Sequence, residues 1–433
     1  MEFKWEDKKL SEIGYIVTGK TPSTKIEKNF GDRVPFLTPS DDMDARYVYE
    51  TKRYLSDEGV NEVRKKLIPK NSVCISCIGS QLGKVTITTE ETVTNQQINS
   101  IVINDEYNIH FIYYLLLILG QKLNFLSKSS TAVPIINKKF FSEISVKVPQ
   151  RQLQDKIAIL LDSLDSKIEI NNKIISNLES QTQAIFKSWF VDFEPFQDGN
   201  FVESELGMIP EGWEVKPIGE LLDFDIGGGW GKEKPQEKYL IPAYVIRGTD
   251  IPNSKLGYFN MDNYRYHTES NLKNRRLQVG DIIFESSGGS TNQDLGRMLL
   301  VTDELLNEYN NDIICASFCK LIRINDSSIR WFVYNLLEYS YKNKILTKYE
   351  VKSTGISNFS FTIFKDDFKI AVPNRKTMER YFNVTGNNIN LSAKLGVQNT
   401  KLAELRDALL PKLMAGEIDV SNIKIEGEEV KNE

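Results

Sequence analysis

The chain has 433 residues, 40% hydrophobic and 26% charged, ordinary proportions for a globular protein with room for about three domain-sized units. Its formal net charge is -5, which excludes a uniformly basic nucleic-acid-binding chain. Residues 1–149 carry 20 basic and 18 acidic side chains and residues 205–373 carry 20 and 23, so any surface facing nucleic acid must be a local cluster.

In chain order, residues 1–6 contain no apolar stretch of leader type, and a first α/β module is expected over 1–149. Its longest apolar run, 109–119, is too short to span a bilayer; the expected location is the cytoplasm, without membrane contact. Cys74 and Cys77 fall in a strand-like run, as do Cys315 and Cys319. Residues three apart on a strand face opposite sides, and residues four apart lie about 13 Å from each other. Neither pair is expected to hold a metal, and free thiols in a reducing compartment are the reading. A first long helix is expected over 150–195, because Ile157, Leu161, Leu164, Ile168, Asn171, Ile175, Leu178, Thr182, Ile185 and Trp189 alternate by four and three. Asn171 reads as a polar contact that sets register.

A second module is expected over 205–373, and it repeats the first. Trp5, Leu10 and Ile13 return as Trp213, Ile218 and Leu221; Pro35 with Ser40-Asp41 returns as Pro242 with Thr249-Asp250. The strand Val73–Ser76 returns as Ile282–Glu285, and Ser130-Thr131 to Val148-Pro149 returns as Ser353-Thr354 to Val372-Pro373. The offset drifts from 208 (Trp5 to Trp213) to 224 (Pro149 to Pro373), which indicates loop insertions within a kept order. A second helix follows over 374–420, with Leu391, Leu395, Leu402, Leu405, Leu409 and Leu413 as its stripe. Gly386 and Gly396 weaken it, so its first part should be short or broken. A tail occupies 421–433. The expected fold is α/β (α+β): two tandem modules joined by two long helices that form an antiparallel coiled coil, with an approximate two-fold internal repeat.

Several motifs in this order resemble the specificity subunits of type I restriction-modification systems over nearly the whole chain. They are Thr18-Gly19-Lys20-Thr21-Pro22-Ser23, Pro35-Phe36-Leu37-Thr38-Pro39-Ser40-Asp41, Gly79-Ser80-Gln81-Leu82-Gly83-Lys84 and Asn95-Gln96, and the helix ends Phe186-Lys187-Ser188-Trp189-Phe190 and Leu405-Arg406-Asp407-Ala408-Leu409-Leu410-Pro411-Lys412-Leu413. The resemblance implies a non-catalytic reader of double-stranded DNA whose modules are target recognition domains, each reading half of a split site. It implies docking of two modification (methyltransferase) subunits, and of restriction (ATP-dependent translocase/endonuclease) subunits. The chain itself would bind no cofactor and no metal, with S-adenosylmethionine held by the methyltransferase.

Amide and cationic side chains in loops suit base edges and phosphates. The candidate DNA-binding residues are Lys20, Thr21, Ser80, Gln81, Lys84, Lys128, Ser129 and Ser130 in the first module, and Arg247, Ser290, Thr291, Asn292, Gln293, Arg297, Lys352 and Ser353 in the second. Phe186, Trp189, Phe190, Leu409 and Leu413 are the candidate subunit-docking residues. Gly231-Lys232-Glu233-Lys234-Pro235 stands where the first module has Gly19-Lys20-Thr21-Pro22, so contacts do not transfer directly between modules.

The chain has no Pro-Pro, which a methyltransferase Asn/Asp-Pro-Pro-aromatic loop requires, and Gly79 to Val85 falls short of a P-loop. Two histidines, His110 and His267, leave little scope for a His-based triad. Two other classes are weighed against the DNA reader. One is an adaptor whose repeated modules bind protein; the other is a nuclease built on Asp41 with Glu50-Thr51-Lys52, although nothing matching Glu-x-Lys follows Asp250.

Overall fold

The computed structural model describes residues 4–129, 136–288, 293–353, 355–420 and 423. The chain divides into two compact units, residues 1–166 with 404–433, and residues 167–403.

In the first unit, the strand Trp5–Lys9 pairs antiparallel with Ser145–Pro149, the last strand before the long helix. A five-stranded sheet follows in the order Gly14–Thr18, Ile98–Ile103, Val73–Ser76, Val85–Thr88, Tyr47–Val48. A second sheet contains the parallel pair Val34–Leu37 and Thr92–Thr94. All four residues of Val73–Ser76 are buried. Alternation divides them: Val73 and Ile75 pack with Phe111, Ile112 and Leu116 of the helix Ile109–Ser129, while Cys74 packs with Val17, Leu37 and Ile98. That helix outruns the apolar stretch expected from the sequence. Its segment Ile109–Lys128 is long and apolar enough to cross a membrane by length and composition, but Phe111, Tyr114 and Leu116 are fully buried in this unit's core.

The second unit builds the same order. Glu214–Pro217 pairs antiparallel with Lys369–Val372, the main sheet runs Phe224–Gly227, Cys319–Arg323, Ile282–Glu285, Met298–Leu300, and Ile241–Ile246 lies parallel to Ile313–Cys315. Ile282 and Phe284 face Phe332 and Leu337 of the helix Ser327–Lys342, and Ile283 faces the opposite side with Ile246 and Leu321. The strand repeat read from the sequence is therefore a repeat of topology and of sidedness. Cys315 and Cys319, expected on one strand, belong to two strands of different sheets joined by a turn in which Cys319 N donates to Ala316 O at 2.8 Å. All four cysteines are free and buried; burial pushes the thiols of Cys74, Cys77 and Cys315 up to about 12, 11 and 12, where they stay protonated and unreactive.

The first long helix is Arg151–Phe190 and the second is Arg375–Met414; each supplies residues to both units. Within the second unit their pairing is antiparallel. Asn171 Nδ2 donates to Asn399 Oδ1 at 2.8 Å and Gln398 Oε1 at 2.9 Å, Asn399 Nδ2 to Asn172 Oδ1 at 2.8 Å, and Asn388 Nδ2 to Thr182 Oγ1 at 3.0 Å. Within the first unit, Ile157 and Leu161 pack with Leu410 and Leu413, and Arg406 Nη1 lies 2.7 Å from Asp165.

The seam of the first helix lies where its apolar spacing places it. The second helix differs from the expected stripe, because Leu391 and Leu405 are 45% and 48% exposed. Its seam runs through Met378, Tyr381, Thr385, Asn388, Ser392, Leu395, Asn399, Leu402, Arg406, Leu409 and Leu413, in threes and fours, all buried or half-buried. Polar residues fill half of it, so hydrophobicity pointed one position away at two places. Nor is the helix broken at its glycines. Gly396 sits where the helix meets the loop at Gly257, itself at φ +81°, and a Cβ on Gly396 would lie 2.9 Å from Gly257 Cα.

Two stability predictions follow from this packing. Gly396→Ala, which gains about 1 kcal/mol in an open helix, should here lower stability by about 1–2 kcal/mol through overpacking, read from a shifted urea midpoint at unchanged slope. Asn171→Leu should cost about 1–3 kcal/mol because Asn399 Oδ1 loses a buried donor. The double change Asn171→Leu, Asn399→Leu should recover part of that in the same assay, since the buried pair goes together and the amides it leaves, half-buried Asn172 and exposed Gln398, can turn to water.

Candidate nucleic-acid interface

In the first unit the loop after Val73–Ser76 is fixed by its glycines. Gly83, at φ +88°, presses on Gly120 of the helix Ile109–Ser129, so closely that neither position has room for a Cβ. Asn124 Nδ2 donates to Leu82 O at 2.7 Å. This attachment shapes an open hollow lined by Asp44, Lys84, Gln121, Asn124, Phe125 and Lys128, among others. Lys84 is ion-paired with Asp44 and its side chain is 30% exposed; Lys128 is exposed, and Phe125 is 73% exposed. Cys77, at the start of the loop, donates to Gln97 O at 2.8 Å. Beside Gln97, Gln96 accepts from Thr21 Oγ1 at 2.8 Å, with exposed Lys20 next to it. Ile136 N donates to Cys77 O at 3.4 Å. Three sequence-distant loops therefore converge about Cys77.

The second unit brings the matching segments together differently. The backbone bonds that hold Ser76 to Gly83 and Lys84 recur between Glu285 and Gly296 and Arg297, so Lys84 and Arg297 are equivalent positions. Leu295 N donates to Glu350 Oε1 at 2.7 Å, and Ser287–Gly288 pairs with Ile356–Phe359, which in turn pairs with Glu350–Ser353. The loop thus adjoins a hairpin carrying exposed Lys352 with Val351 and Ile356, 56% and 43% exposed.

Several expected site residues hold other positions. Arg297 is not free to read bases. Its guanidinium makes a bidentate pair with Glu285 at 2.7 and 2.5 Å, the two side chains being 15% and 4% exposed; a carboxylate so buried needs a fixed cation. Gln293, with its amide oriented for hydrogen bonding, accepts from the same guanidinium. Arg247 is half held, bidentate to Asp250. The backbone places Ser80 in the turn Gly79–Gln81, Ser129 at the end of Ile109–Ser129 and Ser353 at the end of Glu350–Ser353. Ser130, Ser290, Thr291 and Asn292 lie outside the described residues.

The aromatic residues expected to dock partner subunits are core instead. Phe186 is fully buried and Phe190 is 9% exposed; they pack on Phe332 (5.9 and 5.0 Å between centroids) and Tyr381 (6.0 and 5.0 Å), with half-buried Trp189 on Tyr381 at 6.0 Å. Leu413 is fully buried and Leu409 half-buried in the first unit's core. A helix end rich in aromatics closes a core as readily as it docks a partner. Asp41 is likewise used internally: its carboxylate accepts from Thr38 N at 2.7 Å and Lys52 N at 2.8 Å, and Asp250 repeats the first bond with Arg247 N at 2.9 Å. Both brace a loop, and no group of metal-ligating residues occurs among the described residues.

The sequence reading passed over the exposed aromatic and cation pairs. Arg265 lies over Trp230 at 4.9 Å, with Trp230 39% exposed in the glycine-rich stretch 227–232. Lys138 lies over Tyr15, 66% exposed, at 5.3 Å. Trp230 flanked by glycines was the available signal.

Residues 2–180 match the family described as type I restriction modification DNA specificity domain. Along nearly its full length the chain is 27% identical to the type I restriction enzyme MjaIX specificity subunit of Methanocaldococcus jannaschii, covering 97% of this chain and 94% of that one. It is 35% identical over 180 residues to the HindI specificity subunit of Haemophilus influenzae, covering 40% and 39% of the two chains. The crystal structure of a type I restriction-modification S subunit from M. genitalium shares the fold, with a TM-score of 0.55, 14% identity and coverage of 95% and 96%.

The chain is thus similar along its length to type I specificity subunits, and residues 2–180 match their DNA specificity domain. Its two units differ in chemistry at the equivalent loop positions Lys84 and Arg297. Arg297→Ala should destabilise the second unit by about 3–5 kcal/mol through the unpaired Glu285. Thermal denaturation would show it, and Arg297→Ala with Glu285→Gln should restore part of the loss.

Proposed function

We propose that this chain is a non-catalytic specificity subunit that reads a bipartite, asymmetric sequence in double-stranded DNA, one half with each unit, in the cytoplasm. The observation that carries the reading is one topology built twice with different chemistry at an equivalent loop position: Lys84 in the first unit, beside Gln81 and exposed Lys128, and Arg297 held by buried Glu285 in the second, beside a hairpin with exposed Lys352. Unlike loops on like scaffolds suit unlike half-sites. Amides supply base contacts, and exposed Lys20, Lys128 and Lys352 supply phosphate contacts. The two long helices dock two methyltransferase subunits, which carry S-adenosylmethionine, together with restriction subunits. In place of the aromatic helix ends, the outward apolar residues Ile170, Ile174 and Leu391, 51%, 36% and 45% exposed, are the docking candidates.

The test is competition binding of the subunit with its methyltransferase on duplexes varied in each half, at several salt concentrations. Gln81→Ala should relax preference in one half only, by about 1–3 kcal/mol. Lys128→Ala and Lys352→Ala should weaken all sequences evenly and each reduce the salt slope by about one. Equal loss in both halves from Gln81→Ala, or no dependence on sequence at all, would overturn the reading.

A further inference from the structure

One cavity in the second unit has no part in the reading above. It is lined by the two long helices (Ile175, Leu178, Ile389, Ala393), the helix Ser327–Lys342 (Trp331, Tyr334), and the segments carrying Phe259 and Leu299. Every lining residue lies within 167–403. Its volume is about 80 Å³, room for several water-sized groups at roughly 10–15 Å³ each, or for one small ring.

Two polar atoms in this mostly apolar lining have no hydrogen-bond partner, Ser254 Oγ and Gln183 Oε1; Ser254 is 5% exposed. The charged groups and the neighbouring amide and indole are already engaged. Lys255 pairs with Glu338, Glu179 with Lys342 at 3.0 Å, Asn335 accepts from Gln183 Nε2 at 3.2 Å, and Trp331 Nε1 donates to Thr385 at 2.7 Å. Both carboxylates of the lining are therefore compensated, which gives a charged ligand no net partner, whereas an unpaired amide oxygen and an unpaired hydroxyl ask for a neutral donor.

We propose that this cavity is a binding site for a small neutral alcohol or phenol, its ring or chain against Leu178, Trp331 and Ile389 and its hydroxyl hydrogen-bonded to Gln183 Oε1 or Ser254 Oγ. Because the lining joins both long helices to the body of the unit, an occupant stabilises that junction.

The test uses the full-length chain with two probes of one shape, benzyl alcohol and toluene, by saturation-transfer NMR and by the shift of the unfolding midpoint with probe concentration. Benzyl alcohol should bind and raise the midpoint. Ala393→Leu, which fills the cavity, should abolish both effects. Ser254→Ala and Gln183→Leu keep the volume, and at least one should weaken benzyl alcohol about fivefold to tenfold while leaving toluene unchanged, the loss of one hydrogen bond. Absence of benzyl alcohol binding to the unaltered chain, binding that survives Ala393→Leu, or equal affinity for both probes would overturn the proposal. DNA binding enters none of these readouts.

Discussion

A forty-residue helix with an apolar stripe must find a partner along its whole length, and here the partner is a second helix whose seam is half amide and hydroxyl. Burying an amide is unfavourable unless it is hydrogen-bonded. Asn171 Nδ2 with Asn399 Oδ1 and Asn388 Nδ2 with Thr182 Oγ1 are paired together in a single antiparallel register. A slip of one turn would bury Asn171 against Leu395 or Leu402, which cannot answer it. Leucines alone would pack in several registers at similar energy, so the polar level trades some stability for one definite alignment.

How each unit grips its share of the helices also rests on polar groups. In the first unit Arg46, Asp162, His110, Tyr47, Tyr114 and Asp165 form one network: Arg46 reaches Asp162 at 2.6 Å, Tyr114 reaches Asp165 at 2.6 Å, and His110 stands between Asp162 and the Tyr47 hydroxyl. Burial, and then the neighbouring guanidinium of Arg46, hold His110 below the usual imidazole range. In the second unit the same task falls to aromatics packed tilted or edge to face, Phe186, Phe190, Phe332 and Tyr381. One topology, two unlike attachments: the backbone plan was kept while the side chains that fix it diverged.

Where apolar periodicity and function of position coincide, the sequence was a reliable guide. The first helix, the strand Val73–Ser76 and its counterpart, and the closing segments at Pro149 and Pro373 all lie where pattern places them. The second helix was displaced at Leu391 and Leu405 because an apolar search cannot see a seam made by Thr385, Ser392 and Asn399. Arg297 was misjudged for a related reason: whether a cation is free depends on Glu285, twelve residues away, sharing its burial. The docking aromatics failed in the opposite sense, since hydrophobicity alone does not say whether a residue's partner is its own chain. The convergence of loops about Cys77 is tertiary and had no local signature.

The strand pairs that close each unit have a further consequence. Trp5 lies opposite Pro149, and Glu214 opposite Val372, so within each unit the chain leaves almost where it entered. Everything between those points is a loop on a closed base, and its length is invisible to the helix that follows. The offset between repeats can grow from 208 to 224 without moving the first residue of either helix relative to its base strand. Each unit is in this sense a cassette: its interior can lengthen, shorten or be exchanged while the helix register set by the asparagines stays as it is.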